Sequence, residues 1–111
     1  MSFSKEIMKG VSETIVLEVL NDQNEAYGYQ LIQAIKKSSK NAFDFPEGTL
    51  YPLLYRLEEK KYIISKKKTA PSGKVRRYYY LTSQGKNILK QQILELKEMQ
   101  KGLNNVLSYH I

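Results

Sequence analysis

The chain has no cysteine and no tryptophan, and its single histidine is His110, one residue from the C-terminal end. Lack of cysteine excludes a disulfide framework and thiolate chemistry, and fits a reducing compartment. With so little histidine, no nucleophile–base pair or metal-ligand cluster can be assembled from the usual residue types, and no glycine loop that cradles phosphate is present. Asp44 and Glu47 lie close enough to resemble a carboxylate pair, but capping or solvation accounts for both. His110, near the terminus, is expected to be inert. The reading is therefore of a protein that is not an enzyme and needs no metal or cofactor. Long apolar runs are also missing, so no segment is expected to span a bilayer. The start, Met1-Ser2-Phe3-Ser4-Lys5-Glu6, lacks the apolar core of a signal peptide.

The absence of acid over one long stretch says most. From Lys60 through Leu94 there is no Asp or Glu, while Lys60, Lys61, Lys66, Lys67, Lys68, Lys74, Arg76, Arg77, Lys86 and Lys90 all fall there. The net charge of +7 is thus polarised, with the acids placed before Lys60 or on the last helix. Such a field favours a polyanion, either nucleic acid or an anionic membrane surface. At 111 residues the chain is one domain with a modest core.

Periodicity predicts four helices and one hairpin. A first helix is expected over Ser4–Leu20, with Ile7, Met8, Val11, Ile15, Val16 and Val19 at helical spacing, and a polar break follows over Asn21–Glu25. The second helix runs over Tyr27–Ser38. A loop over Ser39–Phe45 carries Phe43 and Phe45, expected to plug the core. The third helix puts Leu50, Leu53, Leu54 and Leu57 on one face. Pro46 suits its first turn. Pro52 favours a late start near Gly48, because proline lacks an N–H and disfavours helical geometry at Tyr51. The period then becomes alternating, and strands are expected over Tyr62–Lys68 and Val75–Thr82. Tyr79 and Leu81 point to one side, and Tyr78, Tyr80 and Thr82 to the other. Thr82 or Ser83 caps a last helix reaching Leu107. On it Leu89, Ile93, Leu96, Gln100, Leu103 and Leu107 follow a 4-3-4-3-4 spacing, a coiled-coil-like seam.

Three helices followed by a hairpin, in that order, are the elements of a winged helix-turn-helix, here with a long helix appended. The fold class is mainly α with a small β-hairpin. Residues 1–82 form the DNA-binding unit, including the N-terminal helix, and residues 83–111 the dimerisation helix of the same compact domain. In a helix-turn-helix the second helix of the pair enters the major groove and reads bases through its N-terminal part. Around its Leu face this helix carries Thr49, Tyr51, Pro52, Tyr55 and Arg56. Thr49 offers a hydroxyl to base or phosphate and a methyl to thymine, and Arg56 can bond guanine or clamp a phosphate. Tyr51 and Tyr55 either donate to phosphate or close the rim of the core. On the hairpin, Lys66, Lys67, Lys68, Lys74, Arg76 and Arg77 bracket a flexible tip suited to a phosphate backbone or a minor groove. Lys60 and Lys61 are expected to be solvated. The division of labour is helix for specificity and wing for grip.

Three segments together resemble one family. Tyr27-Gly28-Tyr29-Gln30-Leu31, then Pro46-Glu47-Gly48-Thr49-Leu50-Tyr51-Pro52-Leu53-Leu54-Tyr55-Arg56-Leu57-Glu58, then Arg76-Arg77-Tyr78-Tyr79-Tyr80-Leu81-Thr82-Ser83-Gln84-Gly85 resemble PadR-family transcriptional regulators, in particular the small members with a single C-terminal helix. The resemblance implies a cytoplasmic homodimeric repressor on an inverted-repeat operator in double-stranded DNA. It adds Tyr29, at the start of the second helix, to the DNA-binding set. It further implies pairing of the last helix with the partner's first helix, and relief by a small apolar or phenolic effector at the dimer interface. Drug-binding relatives carry a Trp on the last helix at the position of Leu96, so that stacking surface is absent here.

Dimerisation also has support from the pattern. Leu96, Met99, Leu103, Val106 and Leu107 would form an apolar patch that monomers rarely expose. With Ile7, Val11, Ile15, Leu89 and Ile93 they make up the expected interface and ligand pore. The alternative reading is a winged-helix module for protein contact or small-molecule binding without operator recognition. Steep loss of affinity with salt distinguishes DNA binding from it. RNA binding is a third option, disfavoured by the lack of a sheet that stacks single strands.

Overall fold

Leu17 and Leu20 from one helix, Leu31 and Ile35 from the next, and Leu50, Leu54 and Leu57 from a third are each at most 1% exposed. Each such side chain contributes about 1.5–3 kcal/mol by leaving water, so their meeting point determines how the helices close. The computed structural model describes residues 3–108; His110 lies outside them. The elements in order are α1 (Lys5–Lys9), α2 (Ser12–Gln23), β1 (Ala26–Tyr27), α3 (Gly28–Ser38), α4 (Glu47–Glu59), β2 (Ile63–Thr69), β3 (Val75–Leu81) and α5 (Ser83–Leu107).

The single N-terminal helix expected over Ser4–Leu20 is in fact two. Gly10 caps α1, and Val11 leaves helical geometry at φ −125°. Glycine is a poor helix former, and at the break the Met8 carbonyl accepts from Val11 N at 3.0 Å and from Ser12 Oγ at 2.7 Å. Ile15 N still reaches the Val11 carbonyl at 3.0 Å, so the apolar period runs through the break and conceals it. At the other end α2 continues to Gln23. Asn24 stops it at φ +67°, a conformation asparagine tolerates better than most residues.

The α4 boundary falls one residue before the expected Gly48. Pro46 is the cap, and its carbonyl accepts from the Thr49 and Leu50 N–H groups at 2.9 Å. Pro52 sits inside the helix on its exposed side, and the helix continues past it. Phe45 is buried in the core, while Phe43 is half-buried and rests on Phe3 with ring centroids 5.5 Å apart. Phe45 thus plugs the core itself, and Phe43 packs against it from the rim.

At its C-terminal end α4 closes with a left-handed residue, Lys61 at φ +65°. Tyr62 N donates to Leu57 O at 3.1 Å and Lys61 N to Glu58 O at 3.0 Å, the paired bonds of a Schellman stop. The start of α5 is built on this turn. Thr82 Oγ1 donates to the Lys61 carbonyl at 2.7 Å and accepts from Gly85 N at 2.9 Å. Gly85 lies so close to the Tyr62 carbonyl that any Cβ would collide with it. Further along, Thr14 of α2 donates to Gln92 Oε1 at 2.7 Å, setting α5 across α2.

The expected hairpin is present, and its register sets Ile63 opposite Leu81, Ser65 opposite Tyr79 and Lys67 opposite Arg77. A third strand, β1, joins it: Ala26 pairs with Tyr79 and Tyr27 with Tyr78, giving the antiparallel order β1-β3-β2. Two residues are too few to show alternation, which is why only a hairpin was expected. Beyond Leu96 the last helix leaves the body of the domain. No helix among the described residues is long and apolar enough to cross a membrane.

Candidate nucleic-acid interface

The four leucines of α4 are buried, which turns Thr49, Tyr51, Pro52, Tyr55 and Arg56 outward; all five are exposed. The two tyrosines differ. Tyr55 is 66% exposed and projects from the helix, whereas Tyr51 is 44% exposed and lies over Gly28 at the start of α3. A Cβ at position 28 would meet the Tyr51 ring, so a larger residue there would push the tyrosine out of its present position. Tyr51 thus serves the helix–helix joint and the outer surface together. Beside it Tyr29 is 57% exposed.

A cleft of about 370 Å³ separates α4 from the wing. Tyr29 and Tyr51 line its helical side, with Glu47 at the α4 start, and Arg76, Arg77 and Tyr79 line its β3 side. On this inner face of the sheet, Arg77 Nη1 donates to Ser65 Oγ at 2.9 Å, and Ser65 Oγ donates to Glu58 Oε2 at 2.8 Å. Burial pushes the Tyr79 hydroxyl above its ordinary pKa, so it stays a neutral phenol. Lys67 lies opposite Arg77 on the same face.

The outer face is organised differently. Lys68 Nζ pairs with Glu25 Oε2 at 2.6 Å and sits 4.4 Å from the centroid of the Tyr78 ring. Arg76 stacks over Tyr27 at 4.6 Å, Lys66 lies 5.8 Å from the Tyr80 ring, and Tyr27 meets Tyr78 edge-on at 5.4 Å. These neighbours cover Tyr78, which is 4% exposed although its register assigns it to the face away from the helices. The hydrogen bond from Lys68 holds the Glu25 carboxyl below the usual range, and the same bond raises the Lys68 ammonium. Arg76 Nε is buried without a partner among the described residues.

The wing cations expected to act alike are therefore divided. Lys67 and Lys74 have no acidic partner among the described residues, and Arg77 bonds only a hydroxyl. Lys68 is ion-paired, and Arg76, although it also lines the cleft, is stacked on Tyr27. Lys60, expected to be solvated, bonds Glu13 at 2.8 Å, and Lys61 forms the α4 stop. The residues that make this division, Glu25, Tyr27, Glu58 and Ser65, are not marked by any local pattern.

The expected interface residues on α1 and α5 also separate. Ile7 is 64% exposed and α1 buries no residue. Met99, Leu103, Val106 and Leu107 are exposed as well, and Val11, Ile15, Ile93 and Leu96 are half-buried. Leu89 departs from the expectation. It is 4% exposed within one chain and belongs to that chain's own core, packed where α5 crosses the body. No cluster of potential metal ligands occurs among the described residues.

A helix pair whose second helix turns a polar face outward, followed by a basic β-hairpin, defines a winged helix-turn-helix, a class built to bind duplex DNA. Residues 16–91 match the model of the transcriptional regulator PadR-like family. A transcriptional regulator of Mycobacterium tuberculosis is 33% identical over 68% of this chain and 67% of its own length. Among solved structures, a transcriptional regulator of Clostridium thermocellum superposes with a TM-score of 0.81 at 30% identity, covering 91% of this chain and 97% of that one. A PadR-like transcriptional regulator of Bacillus cereus gives 0.80 at 30% identity, covering 96% and 100%. The chain belongs to the PadR-like family, whose members are DNA-binding transcriptional regulators and not enzymes.

Proposed function

We propose that this regulator is a cytoplasmic homodimeric repressor that binds an inverted-repeat operator. In this reading α4 enters the major groove, where Thr49, Tyr51, Pro52, Tyr55 and Arg56 meet base edges and sugar–phosphate. The wing grips the adjacent backbone through Lys66, Lys67, Lys74 and Arg77, and Tyr29 adds a hydroxyl at the rim. The observation that carries the proposal is one open cleft with Tyr29 and Tyr51 of the helix pair on one side and the wing arginines Arg76 and Arg77 on the other. A duplex backbone fits such a notch, and phosphate contacts there set the register for base reading.

Pairing through α1 and α5 accounts for the apolar side chains that one chain leaves in water. Ile7, Met99, Leu103, Val106 and Leu107 are each more than 40% exposed. A two-fold axis along the distal half of α5 covers them and separates two copies of α4 by about one helical turn of DNA, roughly 34 Å. The same seam, lined by Ile93, Leu96 and Met99, is where a small apolar or phenolic effector would act. Without a Trp at Leu96, such a ligand is held by aliphatic contact and not by stacking.

Selection of bound duplexes from a random-sequence library, followed by footprinting, tests the reading. The expected product is an inverted repeat whose affinity falls steeply between about 50 and 200 mM salt. Absence of any enriched sequence would end the operator proposal. For the dimer, Leu103→Glu is expected to yield monomers in light scattering, and an intact dimer would move the interface elsewhere.

A further inference from the structure

Two side-chain hydrogen bonds join the wing to the reading helix without using the backbone. Arg77 on β3 donates to Ser65 Oγ on β2 at 2.9 Å, and Ser65 passes a hydrogen bond to Glu58 Oε2 on α4 at 2.8 Å. The direction is forced, because a guanidinium only donates and a carboxylate only accepts, leaving the hydroxyl to do both. Of the five N–H donors in a guanidinium, this arrangement uses one. The rest of Arg77 lines the cleft beside Tyr51.

We propose that Glu58 and Ser65 are positioning residues for DNA binding. They hold Arg77 so that its unused N–H edge meets a backbone phosphate in the cleft, and they tie the wing to the helix that reads bases. The proposal rests on the reading of this cleft as the DNA surface. An arginine ordered before DNA arrives loses less conformational freedom on binding. Its charge-assisted bonds also require a defined approach to phosphate, which a mobile side chain does not supply.

Glu58 makes the idea testable, because two accounts of it differ in sign. Judged by charge alone, an acid near the interface opposes a polyanion, and removing it should tighten binding. As the last acceptor of the relay it supports binding, and removing it should weaken it. The Ser65 hydroxyl isolates the same effect with no change in charge.

The experiment is fluorescence anisotropy on the full-length protein, using the duplex that the wild type recovers from a random library, across a salt series. Ser65→Ala is expected to weaken binding roughly three- to tenfold, in line with the net loss of one typical hydrogen bond. It should also lower the salt slope by about one, the signature of a lost phosphate contact that a merely structural role leaves unmoved. The double variant Ser65→Ala/Arg77→Ala should bind no worse than Arg77→Ala, since the two act as one unit. Ser65→Thr, which keeps the hydroxyl, should restore both affinity and slope. Glu58→Met should weaken binding although it removes a negative charge. Tighter binding by Glu58→Met, or full additivity in the double variant, overturns the relay while leaving Arg77 as a wing contact. If Arg77→Ala changes neither affinity nor slope, the wing reading fails and the relay with it.

Discussion

On the face of the wing turned toward α4, Arg77 and Lys67 stand beside Ser65 and Tyr79; on the opposite face Lys66, Lys68 and Arg76 lie against Tyr80, Tyr78 and Tyr27. Both faces are basic, yet the charge is used differently. Outside, cations rest on aromatic rings and on Glu25, so their stems shield the sheet and their heads are partly committed. Inside, the one ordered cation is held through a neutral hydroxyl and keeps most of its donors. A count of lysines and arginines therefore overstates how many are available to phosphate. What matters is the partner that each has when DNA is absent.

The largest test of this contrast compares neighbours. Arg77→Ala is expected to reduce duplex affinity about tenfold and the salt slope by about one, with little change in stability. Arg76→Ala is expected to do the reverse, costing about 1 kcal/mol of stability through the lost stack on Tyr27 and only slightly weakening DNA binding. Anisotropy and denaturant midpoints on both variants decide it, and equal losses of affinity would erase the distinction between the faces.

Tyr27→Leu comes next. It removes the platform under Arg76 and the edge contact with Tyr78, so unfolding free energy should fall by about 1–2 kcal/mol. A variant as stable as wild type in urea would show that the outer stack contributes nothing. Smaller again is Glu25→Gln, which releases Lys68 and removes an acid. Affinity for mixed-sequence duplex is expected to rise about two- to threefold, with a slightly steeper salt slope. Unchanged binding would mean that Lys68 never reaches phosphate.

The smallest effect is on pH. Glu25 is held below the ordinary carboxylate range by Lys68, so its pair contributes stability that is present above the unfolded pKa and lost as pH falls through the folded one. The stability difference between wild type and Glu25→Gln should therefore shrink toward zero in acid. Both groups are solvent-exposed, which keeps the effect slight. Midpoints measured across the acid range check the direction, and a difference that grows on acidification contradicts it.

Much of this architecture can be read from local pattern. The Leu face of α4, the alternation of β2 and β3, and the Thr82 cap each depend on residues a few positions apart, where periodicity and capping chemistry act directly. The break at Gly10 escaped because the apolar period crosses it. β1 escaped because a two-residue strand has no period, and its place is decided by the open edge that β3 offers. Leu89 shares its spacing with the exposed seam, yet α5 crosses α2 at its level and takes it inside.

The surface posed the harder problem. That the wing is basic, that α4 carries a polar outer face, and that the chain is a PadR-like regulator all follow from the order of residues alone. Which cations are committed does not. Lys68 meets Glu25 across 43 positions, and Arg77 reaches Glu58 only through Ser65. Side-chain hydrogen bonds and cation–ring contacts act over a few ångströms, and only the folded sheet brings such distant residues within that range.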